Sequence, residues 1–211
     1  MRTAFSWERF EKVPVVGIMR NLPLHIMQKL VTTYIDGGLT NLEITMNSAA
    51  ATTTIKEITD TFGGSLNIGA GTVCTLTDLD AALAAGAQFI VTPIVNEDVI
   101  TACVQADIPV FPGGYTPTEI YKAWSLGASM VKIFPATRLG PEYIKEVLAP
   151  LNQVKLMPTG GVTLDNCTDF IQAGAKALGL GSSLFPKDLI ATEDWSGPKK
   201  IFESFVYKMN A

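Results

Sequence analysis

Two charged residues stand inside apolar runs that would normally exclude them. Lys132 lies within Met130-Val131-Lys132-Ile133-Phe134, and Glu43 lies within Leu42-Glu43-Ile44-Thr45. A strand buried on both faces rejects a charge unless the charge has a task or a partner. A lysine stripped of water holds its proton less firmly, so its neutral amine can attack a carbonyl carbon. A carboxylate at the same depth can move protons beside the iminium that results. Two blander arrangements fit the same letters. Lys132 can reach past the end of its strand, or it can pair with Glu43 so that each merely neutralises the other. Two inward charges on separate strands favour the chemical reading.

Other residues add binding functions. Thr159-Gly160-Gly161 and Gly179-Leu180-Gly181-Ser182-Ser183 end two late apolar runs. Glycine bares backbone N–H groups that can hold a phosphate, although turns also need glycine. Arg20, ending the first run, is a carboxylate fork or a solvated charge. Thr72 and Thr159 can hydrogen-bond a carboxylate or a carbinolamine hydroxyl, and either can instead cap a following helix. Pro93 and Pro135 follow two further runs and shape the rim. His25 is the only histidine, read as structural or exposed. Cys74, Cys103 and Cys167 form no CxxC spacing, so they read as small hydrophobes. A zinc site and a histidine-based triad are therefore disfavoured. The chemistry falls to Lys, Arg, Glu, Asp, Thr or Ser, with no metal and no cofactor.

These residues need a scaffold that brings strand ends together. Strand-like runs are expected at Val13–Met19, Asn41–Met46, Leu66–Ala70, Gln88–Thr92, Ile108–Phe111, Ser129–Phe134, Gln153–Met157 and Lys176–Leu180. Helix-length segments separate them, such as the one carrying Leu24, Met27, Leu30, Val31 and Tyr34. Gly38, Gly86, Gly127 and Gly174 each follow a helical pattern and precede a strand, as a left-handed C-cap would. Such alternation predicts an α/β fold of parallel strands with helical crossovers. A (β/α)8 TIM barrel is preferred to an open doubly wound sheet, because no G-x-G-x-x-G follows the first strand. An extra N-terminal helix is expected around Phe5 and Phe10. A last helix carrying Trp195, Ile201, Phe202 and Phe205 should close over the barrel.

Composition bounds the rest. The chain has 211 residues, 47% hydrophobic and 17% charged, which fits one domain spanning 1–211 and excludes a disordered chain. Its apolar runs stop well short of the roughly 20 residues that a membrane helix needs. Charges occupy the N-terminal stretch where a signal peptide would be apolar, so a cytoplasmic location is expected. Sixteen Lys plus Arg against 20 Asp plus Glu give a net charge of −4, unlike the basic face of a nucleic-acid binder.

The strings PVVGIMR, GGLTNLEITMNS, IGAGTV, GAQFIVTP, GASMVKIFPA, PTGGVT and LGSSLF occur in that order between Val13 and Phe185. Together they resemble the 2-keto-3-deoxy-6-phosphogluconate (KDPG)/4-hydroxy-2-oxoglutarate (KHG) aldolases, class I enzymes on a small barrel. The resemblance implies that Lys132 is the Schiff-base lysine and Glu43 the general acid/base. It implies that Thr72 and Thr159 line the pyruvate portion, and that Gly160, Gly161, Gly181, Ser182 and Ser183 bind phosphate. Phosphogluconate-type members place an arginine four residues after the glutamate, where this chain has Asn47. Arg20 and ITMNS instead look like the 2-dehydro-3-deoxy-6-phosphogalactonate branch, which makes Arg20 the carboxylate ligand. The implied substrate is a phosphorylated keto acid yielding pyruvate, and the implied assembly is a homotrimer. Alternatives are cleavage of 4-hydroxy-2-oxoglutarate, a phosphosugar isomerase, or a non-catalytic sensor barrel.

Overall fold

The computed structural model describes residues 4–210. Helix α1 (Trp7–Lys12) comes first, capped by the Ser6 hydroxyl, which accepts from the Arg9 N–H. Then follow β1 (Val15–Met19), α2 (Leu24–Asp36), β2 (Asn41–Thr45), α3 (Ala51–Phe62), β3 (Asn67–Gly71) and α4 (Leu76–Ala84). The middle of the chain forms β4 (Ile90–Val91), α5 (Glu97–Gln105), β5 (Val110–Phe111), β6 (Gly113–Gly114), α6 (Pro117–Ser125) and β7 (Val131–Ile133). The remainder is α7 (Gly140–Leu148), β8 (Leu156–Pro158), α8 (Cys167–Gln172), β9 (Leu178–Leu180), α9 (Lys187–Ala191) and α10 (Ser196–Asn210).

All strand pairs are parallel, in the orders β5-β4-β3-β2-β1-β9 and β6-β7-β8. The strand expected at Ile108–Phe111 therefore appears as two pieces flanking Pro112. Proline has no N–H to give the ladder, so regular pairing stops there. The Pro112 carbonyl still accepts from the Lys132 N–H at 2.9 Å. On the other side, Thr159 bridges Gly179 and the Lys176 N–H reaches the Leu156 carbonyl at 2.9 Å. The result is a curled parallel sheet with helices outside. The strands expected at Gln88–Thr92 and Ser129–Phe134 are shorter than their apolar runs, as β4 and β7. Gly38, Gly86, Gly127 and Gly174 all take positive φ after helices, as the caps require.

Alternation along the strands divides the core. Val15, Leu42, Ile44, Ile68, Ile90, Val110, Val131, Leu156 and Leu178 belong to the cluster beneath the helices. Val16, Phe89, Val91, Phe111, Met130, Met157 and Ala177 form a separate cluster with Phe10 of α1. The second set is the concave side of the sheet, and the Phe10 ring fills one end of it. Glu43 and Lys132 follow the parity of this inner set, because their strand neighbours Leu42, Ile44, Val131 and Ile133 all face the helices. Helix α10 packs on α2, burying Phe202 and Phe205. Among the described residues, no helix is long and apolar enough to cross a membrane.

Candidate active site

Glu43 sits mid-β2, 1% exposed, and Lys132 sits mid-β7, 5% exposed. In register, Glu43 stands beside Gly69, and Lys132 stands between Gly113 and Met157. Beside both side chains the next strand has glycine, and the space is taken by a neighbour: the Phe89 ring over Gly69 and the Pro93 backbone over Gly113. The Glu43 carboxyl leans over Gly71: a Cβ there would lie 1.7 Å from Oε1. Gly71 is thus the residue that lets this carboxyl reach its position.

The two charges feel each other without touching. Burial pushes the Glu43 carboxyl above its usual range, opposed by the charges of Lys132 and Arg20. Burial likewise pulls the Lys132 amine down; Glu43 works against that shift and Arg20 adds to it. Yet the two form no direct ion pair, and Glu43 Oε2 has no hydrogen-bond partner among the described residues. Lys132 Nζ lies 4.7 Å from the Phe134 ring centroid, a cation–π contact that guides the ammonium form. The blander ion-pair reading therefore does not describe this site.

One cavity of about 900 Å³ opens beside Lys132. Arg20, Lys132 and Thr159 line it, as do Gly160, Gly161, Gly181, Ser182 and Ser183. Arg20 is exposed at the end of β1, and the next residue, Asn21, has a left-handed backbone with φ 54°. That conformation is held from β2: the Asn21 N–H donates to Ser48 Oγ at 2.9 Å, and Ser48 Oγ bonds Thr45 Oγ1 at 2.9 Å. Ser48, after β2, thus fixes the backbone that carries Arg20. Gly161 has φ 74°, and a Cβ there would lie 2.6 Å from Thr137 Cα, so a side chain is excluded on two grounds.

Three expected residues are not in the cavity wall. Glu43 is buried. Thr72 is half-buried with φ 58°, and Thr75 rather than Thr72 caps α4. The Pro93 backbone lies close to the strand beside Lys132: a Cβ on Gly113, the partner of Lys132, would lie 2.6 Å from the Pro93 carbonyl. Thr159 caps no helix; it is buried and its N–H donates to the Ile133 carbonyl at 2.9 Å.

The wall also contains residues that sequence reasoning passed over: Asn21, Phe134, Lys187 and Glu193. Phe134 was legible, since it shares the parity of Lys132. Lys187 and Glu193 come from the segment after β9, where no periodicity signals a site. Among the described residues, no three His, Cys, Asp or Glu side chains converge as a metal would need.

A family model for KDPG and KHG aldolase matches residues 7–201. The chain is 38% identical over 175 residues to the 2-dehydro-3-deoxy-6-phosphogalactonate aldolase of Escherichia coli K12, covering 82% of this chain and 85% of that one. A solved structure described as native KDPGal superposes with a TM-score of 0.88 at 34% identity, over 94% and 95% of the two chains. KDPG aldolase from Legionella pneumophila, with pyruvate captured as a covalent carbinolamine intermediate, gives a TM-score of 0.86 at 27% identity, over 93% and 95%. A buried amine and carboxyl on the concave face of a parallel sheet, beside a glycine-lined cavity, agree with these likenesses: the chain belongs to the KDPG and KHG aldolase family.

Proposed function

We propose that the protein is a class I aldolase cleaving a 2-keto-3-deoxy-6-phospho sugar acid, of phosphogluconate or phosphogalactonate type, to pyruvate and glyceraldehyde 3-phosphate. The observation that carries this reading is the pairing of a buried, uncommitted amine with a buried carboxyl whose Oε2 is unpartnered. Lys132 attacks the C2 ketone; loss of water leaves an iminium that serves as electron sink, the task a metal performs in other aldolases. Glu43 takes the proton of the C4 hydroxyl. The C3–C4 bond breaks, its electrons enter the iminium to form an enamine, and the aldehyde departs. Protonation at C3 and hydrolysis release pyruvate and restore the amine. Arg20 binds the carboxylate, with Thr72 and Thr159 along the pyruvate portion and Pro93 on the substrate-binding rim. Gly160, Gly161, Gly181, Ser182 and Ser183 take the phosphate. Holding both ends of the substrate orients the bond that breaks.

The same reading makes residues 1–211 one domain. The joints at Pro112 and at Thr159–Gly179 close the two sheets into an eight-stranded (β/α)8 barrel, with α1 as an additional N-terminal helix. The family likeness favours a homotrimer, and the three unpaired thiols suit the cytoplasm.

Borohydride reduction in the presence of pyruvate, followed by intact mass and peptide mapping, tests the reading. The expected result is a stable adduct on the peptide containing Lys132. Folded protein with excess pyruvate and no adduct would overturn the covalent mechanism, leaving the isomerase or sensor reading. A second expectation concerns Gly71→Ala. The new methyl must displace the Glu43 carboxyl, and misplacement of a reacting group by ~1 Å costs on the order of 10²-fold. Steady-state assay should show that loss in kcat, with pyruvate adduct formation retained. An unchanged kcat would remove the Glu43 carboxyl from the chemistry.

A further inference from the structure

Among the described residues, four charged ones line the cavity: Arg20, Lys132, Lys187 and Glu193. Under the proposed aldol cleavage, on which this inference rests, two have occupations. Lys132 forms the iminium and Arg20 holds the carboxylate. The phosphate end is then left with the backbone N–H groups of glycines and with serine hydroxyls, none of which carries a formal charge. A phosphate monoester bears nearly two negative charges above its second pKa of about 6. Glu193 adds another negative charge to the same wall. It is tied to Lys29 of α2 at 2.8 Å, and that bond holds its carboxyl below the usual range. The cation that remains is Lys187. It is exposed at the start of α9, and it forms no ion pair among the described residues.

Packing fixes where Lys187 stands. Two residues before it, Phe185 is buried and stacks on Tyr34 of α2, with ring centroids 6.0 Å apart. Three residues after it, Ile190 is buried and lies in the cavity wall. The segment is thus anchored on both sides, and Lys187 is presented to the cavity that Ser182, Ser183, Gly160 and Gly161 line. We propose that Lys187 makes an ion pair with the substrate's phosphate and so sets this enzyme's preference for phosphorylated over unphosphorylated keto acids. A charge-assisted bond at a partly exposed mouth contributes less than a buried one, yet enough to shift affinity by about tenfold.

Lys187→Met keeps the apolar stem and removes the charge. Three readings on full-length enzyme test the proposal: KM and kcat for the phosphorylated keto acid, kcat/KM for its dephosphorylated counterpart, and competitive inhibition by inorganic phosphate. The variant is expected to raise KM for the phosphorylated acid and Ki for inorganic phosphate about tenfold each. It should leave kcat and the dephosphorylated substrate within twofold, and Lys187→Arg should restore most of the loss. Equal losses on both substrates, or unchanged KM and Ki, would overturn the assignment of Lys187 alone, since wild type would still prefer the phosphorylated acid. A wild type that does not distinguish the two substrates would overturn the phosphate end altogether, and Lys187 with it.

Discussion

Lys132→Ala should lower kcat by at least about 10⁴-fold and abolish the borohydride-trapped pyruvate adduct, because it removes the one group that bonds to substrate. Burial makes this amine useful. Desolvation penalises the ammonium more than the free amine, so Lys132 loses its proton at a lower pH than an exposed lysine near 10.4. The sign of the pH dependence follows. The attacking form is the deprotonated one, so kcat/KM must rise with pH through the Lys132 titration, and that limb must lie on the acid side of an ordinary lysine. Lys132→Met is the better-packed companion, since it keeps the stem that lies among Phe134 and its neighbours. Both variants should keep the wild-type circular dichroism. Retention of kcat within tenfold in a folded variant, or a limb that stays at the value of a free lysine, would refute the Schiff-base role.

Glu43→Gln carries the second largest effect. It preserves shape and removes the proton-transfer group, whose contribution to catalysis is typically 10²–10⁴-fold. Burial holds the Glu43 proton to a higher pH than a solvated carboxyl would keep it, which favours a group that gives a proton as well as takes one. The unpartnered Oε2 is the atom available for that exchange. The expected result is a kcat for cleavage lower by about 10³-fold, while pyruvate is still trapped on Lys132 by borohydride. Exchange of the pyruvate methyl protons with D2O, followed by NMR, should slow by a comparable factor, because the enamine forms and collapses through the same carboxyl. Adduct formation with normal exchange would place the proton transfer elsewhere.

These two residues were legible from the letters alone because strand alternation has a period of two. Leu42 and Ile44 face the helices, so Glu43 must face the other way; Val131 and Ile133 do the same for Lys132. The helix-ending glycines were equally legible, since each marks a left-handed backbone that other residues reach only at a cost. The glycines and serines after β8 and β9 fell into the cavity wall because they end strands, and in a curled parallel sheet those ends converge.

Tertiary structure decided what depends on distance between segments far apart in the chain. Whether Glu43 and Lys132 touch or stand apart is set by the curl of the sheet and by the glycines beside them, neither of which a single strand's pattern encodes. The break at Pro112 follows from a missing N–H, but its consequence, two short ladders on either side, required the neighbouring strands. Lys187 and Glu193 joined the cavity because Phe185 stacks on Tyr34 and α10 packs along α2, drawing the last segments over the mouth. Sequence by itself determined which residues face inward, since local stereochemistry sets that parity. Only the curl of the sheet and the packing of remote helices determined which inward or exposed charges share one space, since that depends on contacts between residues far apart in the chain.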